Sequence, residues 1–163
     1  MNKAVLLTLL VGFIIIGCQE NETNEKKEDN IIGNAVQFRI ARPTNQLAKI
    51  KKFYTEGLGM KELGSFSEHQ GYSGVMLGLP NSQYHLEFTQ HNDKEALPLP
   101  TKENLLVLYF DETDKYEKAN KRLLKMGIKP VEPENPYWKG KSQTYEDPDK
   151  WRIVLFNGIY NPS

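Results

Sequence analysis

The stretch AVQFRIAR, residues 35–42, begins a pattern that the chain uses twice. Apolar and polar residues alternate along it, which is typical of a strand with one buried face. Pro43 ends the stretch, apolar residues then recur at helical spacing up to Tyr54, and Gly57 and Gly59 provide the backbone freedom that ends a helix. The first half therefore predicts a strand and a helix followed by three extended runs, at residues 61–66, 72–79 and 84–89.

The second half repeats this order. The apolar run LLVLYF, residues 105–110, predicts a strand, and the helical pattern that follows places Tyr116 and Leu123 on one face and closes at Gly127. Its three extended runs lie near residues 128–132, 142–145 and 151–156.

Two βαβββ modules in succession predict the architecture. One such module leaves a sheet face exposed, so two copies placed side by side can curl into a shared concave sheet. We expect an α+β domain at residues 35–160, with modules at about 35–92 and 104–158. The two modules would form a curved eight-stranded mixed sheet around a concave pocket, with the helices on the outer face.

The first 18 residues have the charge, length and order of a secretory signal peptide. Their apolar run is too short to span a membrane comfortably. The run ends in IIGC, residues 15–18, which resembles the bacterial lipobox, where the leader is cut before a cysteine that then carries lipid. Cys18, the only cysteine of the chain, is thus the expected lipidation site. A plain signal peptide or an anchor helix with a coincidental cysteine is the alternative.

The remaining bulk properties fit a protein held outside the cytoplasm. Residues 19–34 are predicted to be a disordered tether, because the polar stretch from Gln19 to Asn30 contains no hydrophobic residue. Lys plus Arg and Asp plus Glu both number 21, which gives no electrostatic reason to expect nucleic acid. With Cys18 lipidated, no disulfide can form. The expected location is the bacterial cell envelope, lipid-anchored and extracytoplasmic.

Three motifs carry a resemblance to a known family. They are FYTEGLGM at residues 53–60, YHLEF at 84–88, and EDPD at 146–149 leading into WRIVL at 151–155. In this order and spacing they resemble the vicinal oxygen chelate superfamily, which includes glyoxalase I, extradiol dioxygenases and bleomycin or fosfomycin resistance proteins. The resemblance covers about residues 36–158. Lys150 stands where most members have glycine after the Asp-Pro-Asp turn.

The resemblance also implies where metal ligands would lie. Metal-dependent relatives carry one ligand on the first strand and one on the last strand of each half. Glu87 matches the last strand of the first half, and the first strand offers Gln37 or Arg39, depending on the alignment. The matching positions of the second half are Leu105 and Val154, which cannot bind a metal. Because a catalytic divalent ion needs about three protein donors, no cofactor is expected.

His85 offers a second metal set, because it lies two residues from Glu87 on the same strand face. Only one of two side chains at this spacing could reach a common metal centre without distortion, so the set of His85, Glu87 and Gln37 is disfavoured. Two other interpretations of His85 have equal weight: a pocket group, or a strand-end histidine bonded to a neighbour.

Strand alternation extends the predicted site into the second half. The loop at residues 134–140 adds two large aromatic residues, which either supply stacking area or plug the end of the sheet. One side of the pocket would then be polar and the other apolar, which suits a small amphiphile, including one with a cationic group. The predicted ligand-binding residues are Gln37, Arg39, His85, Glu87, Leu105, Val107, Tyr137, Trp138, Val154 and Phe156.

Three functions follow from this site. The first is a surface-anchored, metal-free protein that binds a small hydrophobic or aromatic molecule. The second is a lyase, isomerase or dioxygenase, either metal-dependent with displaced ligands or using Glu87 as a general base. The third is an interaction protein with a vestigial pocket. The expected partners are a small-molecule ligand and the membrane through the lipid anchor. The sequence leaves open whether the chain is a monomer or a homodimer.

Overall fold

The computed structural model describes residues 35–79, 82 and 84–162. They belong to one compact unit, Ala35–Ser163. The predicted signal peptide with its lipobox Cys18 and the predicted tether lie outside the described residues. Within the described ranges, every helix is too short or too polar to cross a membrane.

The first module has the predicted order of strand, helix and three strands. Its sheet runs β1-β4-β3-β2, with β1 parallel to β4 and the other pairs antiparallel. The helix ends in a π-helical turn, Phe53–Gly57. The elements are β1 at Phe38–Pro43, α1 at Leu47–Lys52, β2 at Lys61–His69, β3 at Tyr72–Gly78 and β4 at Tyr84–His91.

The second module follows the same order with one strand fewer. Its sheet runs β5-β7-β6, with β5 parallel to β7 and β6 antiparallel to it. A single 3₁₀ turn, Pro136–Trp138, precedes β6. The elements are β5 at Leu105–Phe110, α2 at Thr113–Lys125, β6 at Ser142–Glu146 and β7 at Arg152–Asn157.

The strand predicted at residues 128–132 is reduced to one bridge, between Val131 and Thr144. Pro130 and Pro133 flank Val131, and a proline has no N–H to donate to a ladder. The described residues therefore form a four-stranded and a three-stranded mixed sheet. The prediction of a single curved eight-stranded sheet is corrected accordingly, while the α+β fold of two βαβββ-like modules is confirmed.

One buried core lies on the helix-facing side of both sheets. Phe88 of β4 and Leu155 of β7 are fully buried in it, together with Ile50 of α1 and Leu123 of α2. Gly57 allows the helices to approach closely, since a Cβ there would lie 2.8 Å from Leu123 Cδ2. We call the opposite side of each sheet its open face. Alternation along β4 and β7 assigns Glu87 and Val154 to the open faces.

The turn between β6 and β7 explains the departure at Lys150. Asp147 Oδ1 accepts the backbone N–H groups of Asp149 at 2.9 Å and Trp151 at 3.0 Å, so the carboxylate organises the turn. Lys150 has a φ of 71°, the left-handed region that favours glycine. Lys150 is thus held in a backbone conformation that glycine adopts more readily than lysine.

Candidate functional site

The first part of the candidate site lies on the open face of the first sheet. In the parallel pairing of β1 with β4, Arg39 is opposite His85 and Ala41 is opposite Glu87. Alternation places the side chains of Arg39, His85 and Glu87 on the same face, away from the buried Phe88. We call these three residues the polar cluster.

Arg39 and Glu87 form an ion pair. Arg39 Nη1 donates to Glu87 Oε2 at 2.5 Å. The Glu87 side chain is only 11% exposed, whereas that of Arg39 is 52% exposed. Of the two first-strand candidates, Arg39 is therefore the one that reaches Glu87. Gln37 precedes β1 and is exposed.

His85 is buried within the polar cluster. It is 6% exposed, and its Nε2 atom has no hydrogen-bond partner among the described residues. Most buried polar atoms in proteins are hydrogen-bonded, so this imidazole nitrogen is an exception among the described residues.

The donor set of this site does not fit a divalent metal ion. Oε2 of Glu87 is already engaged by a guanidinium, whose positive charge would repel a metal ion. The second-half positions, Leu105 and Val154, carry hydrocarbon side chains. In the part of the chain that the structure describes, no three or more His, Cys, Asp or Glu side chains group closely enough to hold a metal. We therefore derive no chemical step through a metal.

The second part of the site lies on the open face of the second sheet and is apolar. Val107 pairs with Val154, and Tyr109 pairs with Phe156, with ring centroids 5.4 Å apart. Leu105, Val107 and Phe156 are partly buried, and Val154 is fully buried. Val154 thus forms the floor of this face rather than its surface.

The loop before β6 contributes its two aromatic residues to this face. The Trp138 ring lies 6.1 Å from that of Phe156, and the Tyr137 ring lies 4.9 Å from that of Trp138. Lys141 Nζ sits 4.3 Å from the centre of the Tyr137 ring. We call Tyr109, Phe156, Trp138 and Tyr137 the aromatic cluster. It forms a chain of ring contacts from β5 to the loop.

The polar and aromatic clusters are separate groups in the described chain. No hydrogen bond, ion pair or ring contact between described residues joins them. Five surface cavities, with volumes of about 270 to 570 Å³, are lined by other residues. The largest of them lies between α1 and the β2–β3 hairpin.

Sequence reasoning missed Met76, which lies opposite Glu87 in the pairing of β3 with β4. Gly74 and Gly78 lie on either side of Met76 along the same face of β3. The Phe66 ring covers Gly74, because a Cβ at Gly74 would lie 2.5 Å from Phe66 Cε1. The alternation of Gly74, Met76 and Gly78 along β3 is the sequence signal that could have identified this flat patch beside Glu87.

Two βαβββ-like modules, each with its first and last strands parallel and adjacent, define a protein of the vicinal oxygen chelate fold. Comparison with protein families agrees and narrows the class. Residues 38–89 match the YycE-like N-terminal domain, and residues 103–157 match the YycE-like C-terminal domain. The chain belongs to the YycE-like family of the vicinal oxygen chelate superfamily.

Individual relatives are consistent with this assignment. The chain is 50% identical to YycE of Bacillus subtilis (strain 168) over 123 residues. The matched region covers 76% of this chain and 88% of that protein. The chain is also similar to a crystal structure of Bacillus subtilis YycE, which is described as a candidate glyoxalase/fosfomycin resistance protein. The TM-score is 0.75 at 48% sequence identity, and the match covers 79% of this chain and 94% of the YycE chain. Leishmania major glyoxalase I has a TM-score of 0.58 at 24% sequence identity, and the match covers 75% of this chain and 86% of the glyoxalase chain. This similarity concerns the fold alone.

Proposed function

We propose that this protein binds a small hydrophobic or aromatic molecule on the open faces of its sheets. The observation that carries the proposal is the aromatic cluster. Phe156 touches Tyr109 on one side and Trp138 on the other, and all four rings of the cluster are exposed or only partly buried. Partly exposed rings on a scaffold of strands provide stacking area at little conformational cost.

Binding is favoured over catalysis because of the state of Glu87. A general base has to reach the proton it removes, and Oε2 of Glu87 is held by Arg39 instead. The alternative of a lyase, isomerase or dioxygenase rests on resemblance to relatives, and one fold can host many chemistries. We therefore assign Glu87 a binding role, with no cofactor.

A second copy of the chain is the proposed protein partner. β1 and β5 are edge strands, each paired on one side only within the described sheets. Phe38 and Ile40 of β1 are 62% and 43% exposed. An unpaired edge strand with large apolar side chains favours pairing with another chain. In the proposed dimer, the two sheets would form the curved arrangement around a concave pocket. Analytical ultracentrifugation of the chain tests this.

The proposed location is the cell envelope, with the domain held at a membrane surface through lipid on Cys18. This follows from the signal-like first 18 residues and the sequence before Cys18. A ligand met there would come from outside the cytoplasm.

The binding proposal is tested with 2-naphthylmethanol, a neutral aromatic probe, titrated calorimetrically into the full-length protein in detergent. The heat of protein-free detergent is subtracted. We expect saturable binding that Phe156→Ala weakens by about tenfold or more, because truncation of a central aromatic contact commonly costs over about 1 kcal/mol.

The matched control is Leu124→Ala, which removes an exposed apolar side chain from α2, and it should bind the probe as the unsubstituted protein does. Equal weakening by Phe156→Ala and Leu124→Ala, or no saturable binding at all, would reject the proposal.

A further inference from the structure

The second half of α2 and the segment that follows it are strongly basic. Residues 118–131 contain five cationic side chains and no carboxylate, whereas the rest of the chain has 16 cationic residues against 21 acidic ones. We call the five exposed cations the basic patch; they are Lys118, Lys121, Arg122, Lys125 and Lys129. A chain with a net charge of zero therefore carries a local concentration of positive charge.

The helix directs the basic patch away from the core. Lys118, Lys121 and Lys125 recur at i, i+3 and i+7, a spacing that places them on one face of an α-helix. Leu123, which is fully buried, lies on the opposite side of the helix. The three ammonium groups therefore point outwards from the domain together.

Only part of this charge is used within the protein. Arg122 donates to the backbone carbonyl of Glu56 through Nε at 3.0 Å and Nη2 at 2.6 Å, which fixes α2 against the end of the first helix. Lys121 Nζ lies 3.2 Å from Glu117 Oε2. The other three cations of the basic patch form no ion pair with a described residue.

The helix dipole explains only part of this arrangement. Cations are stabilised in the last turn of a helix, where Arg122 and Lys125 lie. The effect falls off within one turn, so it does not extend to Lys118, seven residues before the end of α2, or to Lys129, which follows the helix. The charge therefore calls for a partner outside the domain.

An exposed apolar side chain accompanies the cations. Leu124 is 51% exposed, and it lines a cavity of about 360 Å³ together with Tyr116, Pro130 and Tyr145. Lysines beside an exposed leucine have the composition of protein surfaces that lie on anionic membranes, where the apolar side chain enters the interface and the cations meet the headgroups.

We propose that the basic patch and Leu124 dock the domain onto a membrane surface that contains anionic lipids. The inference rests on the proposed location, in which lipid on Cys18 holds the chain at a membrane. Residues 19–34 span at most about 55 Å even when fully extended, so the domain stays close to that surface.

The attachment strengthens a contact that would be weak in solution. A second contact made by an already attached chain is intramolecular and has a high effective concentration. Each lysine near an anionic surface strengthens the attraction about fivefold. A membrane is favoured over a soluble acidic protein because the membrane alone is held beside the domain by the same chain.

The test places a fluorescent reporter in the docking surface. Full-length Leu124→Trp protein is reconstituted into vesicles of dibrominated phosphatidylcholine, either alone or mixed with phosphatidylglycerol. Bromine quenches tryptophan only at close range, and the unsubstituted protein gives the background of Trp138 and Trp151. We expect additional quenching in the anionic vesicles alone, reversed by about 1 M salt, where the Debye length falls to about 3 Å.

Two double variants of the reporter protein separate the basic patch from total charge. Lys118→Gln combined with Lys125→Gln should lower the ratio of docked to free domain about tenfold or more, and with it the quenching. Lys94→Gln combined with Lys102→Gln removes the same charge from exposed positions outside α2 and should retain the quenching.

Flotation of the same vesicles separates this inference from the proposed location. If the protein floats with both kinds of vesicle but is quenched equally in both, or if the two double variants lose quenching equally, the inference is wrong and the location stands. If the protein does not float with neutral vesicles, the proposed location fails and the inference fails with it.

Discussion

Arg42 Nη2 lies 2.6 Å from Asp147 Oδ2, and this ion pair joins β1 of the first module to the β6–β7 turn of the second. The two side chains are 7% and 0% exposed. The Arg42 guanidinium also lies between two aromatic rings, with centroid distances of 5.0 Å to Phe88 and 4.2 Å to Trp151. The Tyr54 hydroxyl donates to the same carboxylate oxygen at 3.0 Å. Burial, followed by the charge of Asp147, raises the pKa of Tyr54.

Arg42→Leu should lower the free energy of unfolding by about 3 to 5 kcal/mol, because it leaves the Asp147 charge buried without its partner. Urea denaturation of the variant and the unsubstituted protein measures the difference. Lys121→Leu is the matched control, since it breaks the exposed pair of Lys121 with Glu117 and should cost no more than about 1 kcal/mol. Similar losses in the two variants would show that the buried pair does not hold the modules together.

The stability of the protein should fall at alkaline pH partly through Tyr145. This residue is 1% exposed, and its hydroxyl donates to Asn120 Oδ1 at 2.7 Å. Burial, with a smaller effect of nearby Tyr116, raises the pKa of Tyr145 to about 12. Because the folded-state pKa lies above the ordinary value of about 10, the stabilisation is complete below about pH 10 and is lost as the pH rises towards 12.

Urea midpoints measured from pH 9 to pH 12 should therefore decline less steeply for Tyr145→Phe than for the unsubstituted protein. If the urea midpoints of the two proteins fall equally steeply with pH, Tyr145 does not contribute to the loss of stability at alkaline pH.

Most strands could be predicted from the sequence because each pattern is local. Alternation in residues 35–42 and the apolar run at 105–110 depend only on neighbours along the chain, and both correspond to strands, at Phe38–Pro43 and Leu105–Phe110. The segment at 128–132 also looked extended, but Pro130 and Pro133 limit its pairing to one bridge at Val131. The total of eight strands was wrong for that reason.

The candidate site was less predictable because its contacts join distant parts of the chain. The pairing of Arg39 with Glu87 spans 48 residues and depends on the register of β1 against β4. Two alignments placed the first-strand position at Gln37 or at Arg39, and local pattern could not choose between them. The pairing of Arg42 with Asp147 spans 105 residues and has no local signal at all.

The purified protein should contain less than about one tenth of an equivalent of transition metal, because a site with about three donors is needed to retain one. Leu105 and Val154 provide no donor, and Arg39 occupies the carboxylate of Glu87. Elemental analysis after dialysis against a weak chelator measures this. A content near one equivalent that is lost in Glu87→Ala would contradict the account and favour the enzyme alternative.

Cys18→Ser should abolish lipid attachment and leave the folded domain intact, since the described core residues all lie beyond residue 49. Metabolic labelling with a palmitate analogue in a bacterial host detects the lipid, and thermal unfolding detects the domain. The unsubstituted chain is the positive control. Label that persists in the Cys18→Ser protein would show that the lipobox prediction is wrong.

The most direct test of the binding account uses the two tryptophans of the chain, Trp138 and Trp151. Trp138 belongs to the aromatic cluster, and its Nε1 is buried without a partner among the described residues. Trp151 stacks on Arg42 away from that cluster. Two-dimensional ¹H–¹⁵N spectra of the full-length protein, recorded as 2-naphthylmethanol is added, report the two indole N–H groups separately, and Trp138→Phe assigns them. The account predicts that the Trp138 signal shifts saturably while that of Trp151 stays in place. A shift of Trp151 alone, or of neither signal, would contradict it.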